Sequence, residues 1–395
     1  MIKIKKIYVV SSENSKARLV ADIYEDNQKK VVWAEVDKKY ESYLCTERAD
    51  AFVIGLLHYA MSHNHDIICE VPMGEYLYYQ ITTYLIDAIA KGSPLMHNIK
   101  ITADVDQSDL PCAGKVGTGI SCGIDSLHVL AALSGSSLTH HKPTHLTFFN
   151  VGSHGKGERA KRLFSERKRR AECFCQDYEF ELVEVNSNIM DVFPQSHFVT
   201  HTFTSMFAVF ALQKLYSVYY YASGRPFSAF SLTDTSLDCS YYDLLLAEAL
   251  STDQLRVYSE GGTLSRLEKA RKVVTYSPSY KYLNVCTSTA KNCGRCEKCT
   301  RTLLALDALG ALDKYRDVFN VDYYLSHKQS YFKTLCIQFS LHNENYMELY
   351  PYFKHQIHWQ TKVRAIPRII YGHLRSSILL RFLLKKSANL FRKEQ

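Results

Sequence analysis

GKVGTGISCGIDSLHVLAALSG, residues 114 to 135, opens as one kind of sequence and closes as another. Val116, Thr118 and Ile120 place β-branched side chains at every second position, which predicts a strand. Leu127, Leu130 and Leu133 then recur at three-residue spacing, which predicts a helix. Between them lies the small-residue turn Ser121-Cys122-Gly123-Ile124-Asp125-Ser126. A turn that runs from a strand into a helix leaves the first helical N–H groups aimed one way, at the positive end of the helix dipole, and this is an anion site. Gly123 allows close backbone approach, and Ser121 and Ser126 add hydroxyl donors. Asp125 is the odd member, because a carboxylate beside phosphate needs an intervening Mg²⁺. Gly117 and Gly119 weaken the strand but would admit a ligand or another backbone. The plain alternative is a glycine turn with a serine cap, and six residues alone do not separate the two readings.

The flanking chain alternates strand and helix. THLTFFNVG reads as a second strand, Glu158 to Gln176 as a basic helix, EFELVEVNSN as a third strand, about Thr202 to Tyr216 as a helix, and GRPFSAFSL as a further strand. This alternation predicts an α/β parallel sheet that binds ligands beyond the carboxyl ends of its strands. Asn150 to Gly155, with Ser153 and His154, falls at that edge, where it could meet adenine, ribose or phosphate or be simple loop polarity. Asp234 and Asp238 follow at the same edge as candidates for Mg²⁺ or substrate, or as helix caps, whereas Asp243 reads as structural. Residues 1 to 110 read as a separate α+β domain for packing or dimerisation, with no chemical constellation, and QSDLPCAG marks its boundary.

With 395 residues, 46% apolar and 22% charged, the chain has ample material for a core and for two or three domains. MIKIKKIYVV lacks a long apolar stretch, no uncharged run is long enough for a membrane span, and twelve cysteines without an export signal read as reduced thiols, which together predict a cytoplasmic protein. The net charge of +8 is confined to one end. Nine bases between Lys362 and Lys393 against Glu394 give +8, and the remaining 39 bases and 39 acids cancel.

Cys286, Cys293, Cys296 and Cys299 form a C-x6-C-x2-C-x2-C array in which two-residue gaps let successive thiolates turn onto one ion, with Gly294 easing the turn. Four thiolates suit structural Zn²⁺, and an iron–sulfur cluster is the competing occupant.

The run Ser121 to Ser126 resembles the pyrophosphate-binding PP-loop, SGGxDS, of the N-type ATP pyrophosphatases, with Cys122 in place of the first glycine. A left-handed backbone at that position would be mildly strained. Together with the cysteine array and Arg301 two residues beyond it, the chain resembles the 7-cyano-7-deazaguanine synthase family over residues 114 to 310. That family carries C-x7-C-x2-C-x2-C and a substrate loop ending in Asp-Cys-Arg; here the first gap is one residue shorter and Asp238-Cys239-Ser240 lacks the arginine. The resemblance implies a parallel-sheet, HUP-like PP-loop core over 111 to 310 with a zinc site; residues 1 to 110 and the helical region with a basic tail over 311 to 395, read from the sequence itself, are additions to that family. It implies ATP held by Ser121, Cys122, Gly123, Ile124, Asp125, Ser126 and Ser153, with Mg²⁺ and Asp125, Asp234 and Asp238 in catalytic roles. It further implies Zn²⁺ on the four cysteines. The implied reaction adenylates a substrate carboxylate, releases pyrophosphate, and passes the acyl group to ammonia or another amine as an amide, with a nitrile as a further product.

Two other classes remain open from the residues: a zinc-braced scaffold with a decayed loop, and a tRNA sulfurtransferase in which Cys122 or Cys239 carries sulfur. The basic, leucine-rich tail reads as a contact for the inner face of a membrane, for the protein's own surface, or for nucleic acid phosphate.

Overall fold

The computed structural model describes residues 1–11, 15–155, 157–233 and 238–391, with side chains to Arg375 and at Ser377 in the last helix. Its strands are β1 (Ile2–Ser11), β2 (Lys16–Glu25), β3 (Gln28–Asp37), β4 (Ile67–Cys69), β5 (Met73–Gly74), β6 (Ile101–Thr102), β7 (Val105–Asp106), β8 (Lys115–Gly119), β9 (His145–Asn150), β10 (Glu181–Ser187), β11 (Tyr216–Ala222) and β12 (Arg256–Glu260). Ten of them make one sheet in the order β12-β11-β8-β9-β10-β3-β2-β1-β4-β6, and β5 pairs with β7 apart from it.

The protein is α/β with a large, mostly parallel central sheet. Strands β12, β11, β8, β9 and β10 run parallel, as alternating strands and helices require. An antiparallel meander, β3-β2-β1, continues the sheet, and β4 and β6 extend its far side in parallel. The β2–β3 hairpin closes on Asp26 and Asn27, both at positive φ (47° and 70°), the two-residue turn whose twist matches the strands and which Asn and Asp tolerate.

The chain divides into Met1–Ser265 and Arg266–Gln395. The boundary expected near residue 110 is therefore not a boundary between cores. Strand β3 pairs with β10 through Glu35↔Asn186 and Ala34↔Ser187, and one apolar cluster joins Ile4, Val32, Phe52 and Leu56 to Val183, Phe203, Phe207 and Val257. The helix Asp50–Ser62 packs against the helix His197–Ala211, with Phe52 edge-on to Phe207 at 5.5 Å. Gly55 permits the approach: a Cβ there would lie 3.1 Å from Phe207 Cβ and 2.6 Å from Ile189 Cδ1. Nor is the N-terminal part without buried charge. Asp50 accepts the Gly74 N–H at 3.0 Å, and Arg48 Nε donates to Asp106 at 2.8 Å, cross-bracing the entry to the helix Asp50–Ser62.

Two expected elements are displaced. The helix expected over 202 to 216 spans His197–Ala211, and the next strand is YSVYYYA, β11, not GRPFSAFSL. Aromatic and β-branched residues give 216 to 222 the stronger strand preference, whereas Gly224 and Pro226 leave the following stretch irregular apart from a 3₁₀ turn at Phe227–Ala229.

The second unit is helical. Its longer members are Glu297–Ala308, Lys328–Ser340 and Trp359–Phe391, with the cysteine loop entering the first of them. No helix among the described residues is long and apolar enough to cross a membrane.

Candidate functional site

Strand β8 is flanked by parallel neighbours on both sides, Thr118 facing Leu146 of β9 and Tyr220 of β11. Its carboxyl end runs through Ile120, whose N–H is held by Thr147 O at 2.9 Å, into the turn and the helix Ile124–Leu133. Cys122 adopts the left-handed conformation, φ +56°, where glycine is the unstrained residue. Gly123 is the extended residue ahead of the helix, φ −83° and ψ 173°.

Two hydroxyls stitch the turn together. Ser126 Oγ accepts the Ser121 N–H at 3.3 Å, stands 3.1 Å from Ser121 Oγ, and donates to Gly123 O at 3.3 Å; Ser121 Oγ accepts the Gly123 N–H at 3.3 Å. These contacts are at the long end of hydrogen bonding, so an incoming anion would compete with them at small cost. Ser121 is exposed, Gly123 and Asp125 are half-buried, and Cys122, Ile124 and Ser126 are buried. Burial pushes the Cys122 thiol up to about 12, with the nearby Arg170 charge opposing. That makes it a neutral space-filler at physiological pH.

The glycines of β8 are not both there for a ligand. A Cβ at Gly117 would lie 2.7 Å from Tyr216 Cε1 and 2.8 Å from Tyr219 Cδ2, so this glycine makes room for the β11 tyrosines. At Gly119 the nearest groups would be Tyr219 Oη at 3.8 Å and Thr147 Oγ1 at 4.0 Å.

Ser153 and His154 follow β9 at the same edge. Ser153 Oγ lies 2.9 Å from His154 Nδ1, and the His154 ring is bracketed by Phe148 and Phe164 at centroid distances of 5.8 and 5.1 Å. Burial, reinforced by Arg167, lowers the His154 pKa to about 4, so it is neutral and packs as an aromatic ring.

Asp234 lies outside the described residues. Asp238 does two things at once: its carboxylate accepts the Ser240 N–H at 2.9 Å, capping the 3₁₀ turn Cys239–Tyr241, and it holds His201 Nε2 at 3.1 Å. The other imidazole nitrogen, Nδ1, lies 2.7 Å from Tyr221 Oη near the end of β11. Cys239 is buried alongside, its Sγ 3.4 Å from Thr202 N and 3.3 Å from Thr202 Oγ1. The ligand atoms of His201, Asp238 and Cys239 all fall within 4.8 Å of one another. Burial works against charge on His201, but Tyr221, Cys239 and the Asp238 carboxylate outweigh it and raise its pKa well above the ordinary histidine value. Burial likewise opposes ionisation of Asp238, and His201 with Ser240 overrides it, holding the carboxyl at about 2. Both shifts favour the ion-paired form of His201 and Asp238. The guanidinium of Arg225 stacks 3.8 Å over Tyr241 and reaches within 3.9 Å of Asp238. His201 had no sequence signal, since it lies in an apolar helix and its partners are far along the chain.

Asp243 is structural. Buried between β11 and β12, it accepts from Ser223 Oγ at 3.2 Å, Gly224 N at 3.3 Å and Ser259 Oγ at 3.1 Å.

In the second unit the four cysteines converge. Cys293 and Cys299 sulfurs are 4.0 Å apart, those of Cys286 and Cys296 3.9 Å, and all four lie within 4.8 Å of one another. These separations are far beyond a disulfide, and thiolates bound at about 2.3 Å to one tetrahedral ion would stand about 3.8 Å apart. The surroundings suit thiolates. Backbone N–H groups of Arg295 and Cys296 point at Cys293 Sγ at 3.4 and 3.3 Å, and the N–H and hydroxyl of Thr289 reach Cys286 Sγ at 3.3 and 3.1 Å. Gly294, at φ +69°, makes the turn, and Tyr331 Oη fixes its carbonyl at 2.8 Å. Cys296 and Cys299 also fall at the start of the helix Glu297–Ala308, where its dipole favours negative charge. Cys286, Cys293, Cys296 and Cys299 are therefore a four-cysteine cluster that could hold a metal ion.

Comparison of the chain with protein-family models, with curated proteins and with solved structures finds no match.

Proposed function

We propose that the chain uses ATP to activate a carboxylate. The observation that carries this reading is the turn after β8. It lies beyond the carboxyl end of a strand flanked by parallel neighbours, has a left-handed residue at Cys122, and sets Gly123 and two serine hydroxyls at the start of a helix. Such a turn offers N–H and O–H donors and the positive end of a helix dipole to the diphosphate half of a nucleotide. Asp125, in the first turn of that helix, would meet the phosphates through Mg²⁺.

A substrate carboxylate oxygen attacks the α-phosphorus, the bond to the β-phosphate oxygen breaks, and pyrophosphate leaves with its charge met by the N–H and O–H donors of the loop; Mg²⁺, which Asp125 would hold, would supply further positive charge there. An amine then adds to the acyl carbon of the resulting acyl-adenylate, AMP departs, and an amide is formed with loss of one amine proton. His201 and Asp238, paired at 3.1 Å beside β11, are the polar groups that would orient the substrate. Cys286, Cys293, Cys296 and Cys299 would hold Zn²⁺ as a brace, since four thiolates would close its coordination shell.

Incubation with labelled ATP, Mg²⁺, hydroxylamine and a panel of carboxylic acids tests the reading, because an acyl-adenylate is trapped as a hydroxamate while AMP and pyrophosphate appear. Asp125→Asn should lower pyrophosphate release about a hundredfold or more while leaving the fold intact. Release that never depends on an added acid, or an Asp125→Asn variant as fast as the parent, would refute it.

A further inference from the structure

The helix Trp359–Phe391 presents two opposite faces. Thr361 and Ala365 are buried, and a Cβ at Gly372 would lie 2.7 Å from Leu341 Cδ2, so this side packs on the helix Lys328–Ser340 and the turn after it. Away from it, Trp359, Val363, Ile366, Ile370 and Leu374 are 70, 52, 47, 54 and 56% exposed. Their spacing of four, three, four and four residues keeps them within about 80° of arc on an α-helix. A stripe of five large apolar side chains open to water is a recognition surface and not scatter.

The charge beside the stripe identifies what it meets. Lys362 borders it on one side, and on the other Tyr371, 65% exposed, leads to Arg364, Arg375 and Arg368. All four bases are exposed, and among the described residues none has an acidic partner. The sequence has no Asp or Glu between Glu348 and Glu394. An apolar arc carrying Trp, Ile and Leu, edged by uncompensated bases, matches the boundary between acyl chains and anionic headgroups. A second copy of the same helix would instead bring like charges together along both borders.

We propose that this face docks on an anionic lipid surface, lying in its plane with Trp359, Val363, Ile366, Ile370 and Leu374 in the acyl boundary. The inference is independent of the adenylation reading, since it draws only on the C-terminal unit.

Flotation of the full chain with phosphatidylcholine vesicles, with and without phosphatidylglycerol, tests it. Binding should require phosphatidylglycerol and weaken as salt rises. Arg364→Gln, Arg368→Gln and Arg375→Gln should each weaken it about fivefold, and the triple variant on the order of a hundredfold. Trp359→Ser with Ile370→Ser should lower binding at least about tenfold at every salt concentration, because it removes acyl contacts and leaves charge untouched. All five substitutions are on exposed positions, so the fold should survive, and circular dichroism checks this. No flotation with phosphatidylglycerol at low salt would overturn the proposal. So would self-association in sedimentation that Trp359→Ser and Ile370→Ser abolish, if vesicle binding is unaffected by them.

Discussion

Replacing Cys122 separates what its backbone does from what its sulfur could do. At φ +56° a side chain costs ~1–2 kcal/mol that glycine does not incur. Cys122→Gly recovers that, gives up ~0.5–1 kcal/mol to the greater freedom of the unfolded chain, and loses about 1 kcal/mol of buried side chain, since Cys122 is 1% exposed. The three nearly cancel, so Cys122→Gly should fall within about 1 kcal/mol of the parent in urea unfolding. Cys122→Val keeps the left-handed penalty, worsens it by branching at Cβ, and adds volume to a closed site at ~1–3 kcal/mol, so it should lose about 3 kcal/mol. The same two variants decide on the sulfur. With its thiol pushed up to about 12, Cys122 is thiolate in only about one molecule in 10⁵ at pH 7. If the proposed adenylation holds, pyrophosphate release by Cys122→Gly should therefore stay within about tenfold of the parent. A valine variant as stable as the parent would show that the turn does not require positive φ. A folded glycine variant with no turnover would overturn the space-filling role and favour sulfur chemistry.

Two further outcomes are expected. Cys296→Ser should lower bound metal, measured by atomic absorption, together with soluble yield; full yield without metal would contradict a bracing role. His58, buried beside Phe203, has its pKa pushed down to about 4 by burial, opposed by its hydrogen bond with Gln195. Its folded value is below the unfolded 6.5, so below pH 6.5 the unfolded chain takes up a proton the folded chain refuses, and stability falls as pH drops towards 4. Between about pH 7 and pH 5 this amounts to about 2 kcal/mol, and His58→Leu should reduce the pH dependence of urea unfolding in that window while that of His154 remains. An unchanged dependence would mean that His58 is charged in the folded protein.

Local signals carried much of the architecture. The strand, turn and helix around Ser121 were legible because alternation, small residues and three-residue leucine spacing follow one another within a few turns of chain. Strands β9 and β10 and the helix Glu158–Asp177 were legible for the same reason, and the cysteine array because its spacing is itself the geometry. What could not be read was pairing at a distance. The join between β3 and β10 rests on Glu35↔Asn186 and Ala34↔Ser187, polar and small residues with no periodicity to announce them. His201 is the single titratable residue inside HTFTSMFAVFA, and its partner Asp238 reads locally as nothing more than a cap.

The tyrosines carry the remaining step. In composition they have no direction, yet four of them, Tyr216, Tyr219, Tyr220 and Tyr221, lie on β11. Tyr216 and Tyr219 fill the space that Gly117 leaves on β8, and Tyr219 Oη reaches across to Thr147 Oγ1 of β9 at 2.5 Å. Tyr220 Oη lies 2.7 Å from His141 Nδ1, and Tyr221 Oη is at the same distance from His201 Nδ1. One strand thus packs against the side of the strand that leads into the Ser121–Ser126 turn and also grips the histidine beside Asp238. A glycine at 117 is then required by its neighbours and not by a ligand. The turn at the carboxyl end inherits its position in part from that aromatic contact, because a one-residue slip of β8 along β11 would bring a side chain in place of Gly117 against Tyr216 and Tyr219. The two parts of the proposed site in the first unit are therefore registered to one another by side chains that touch neither nucleotide nor substrate.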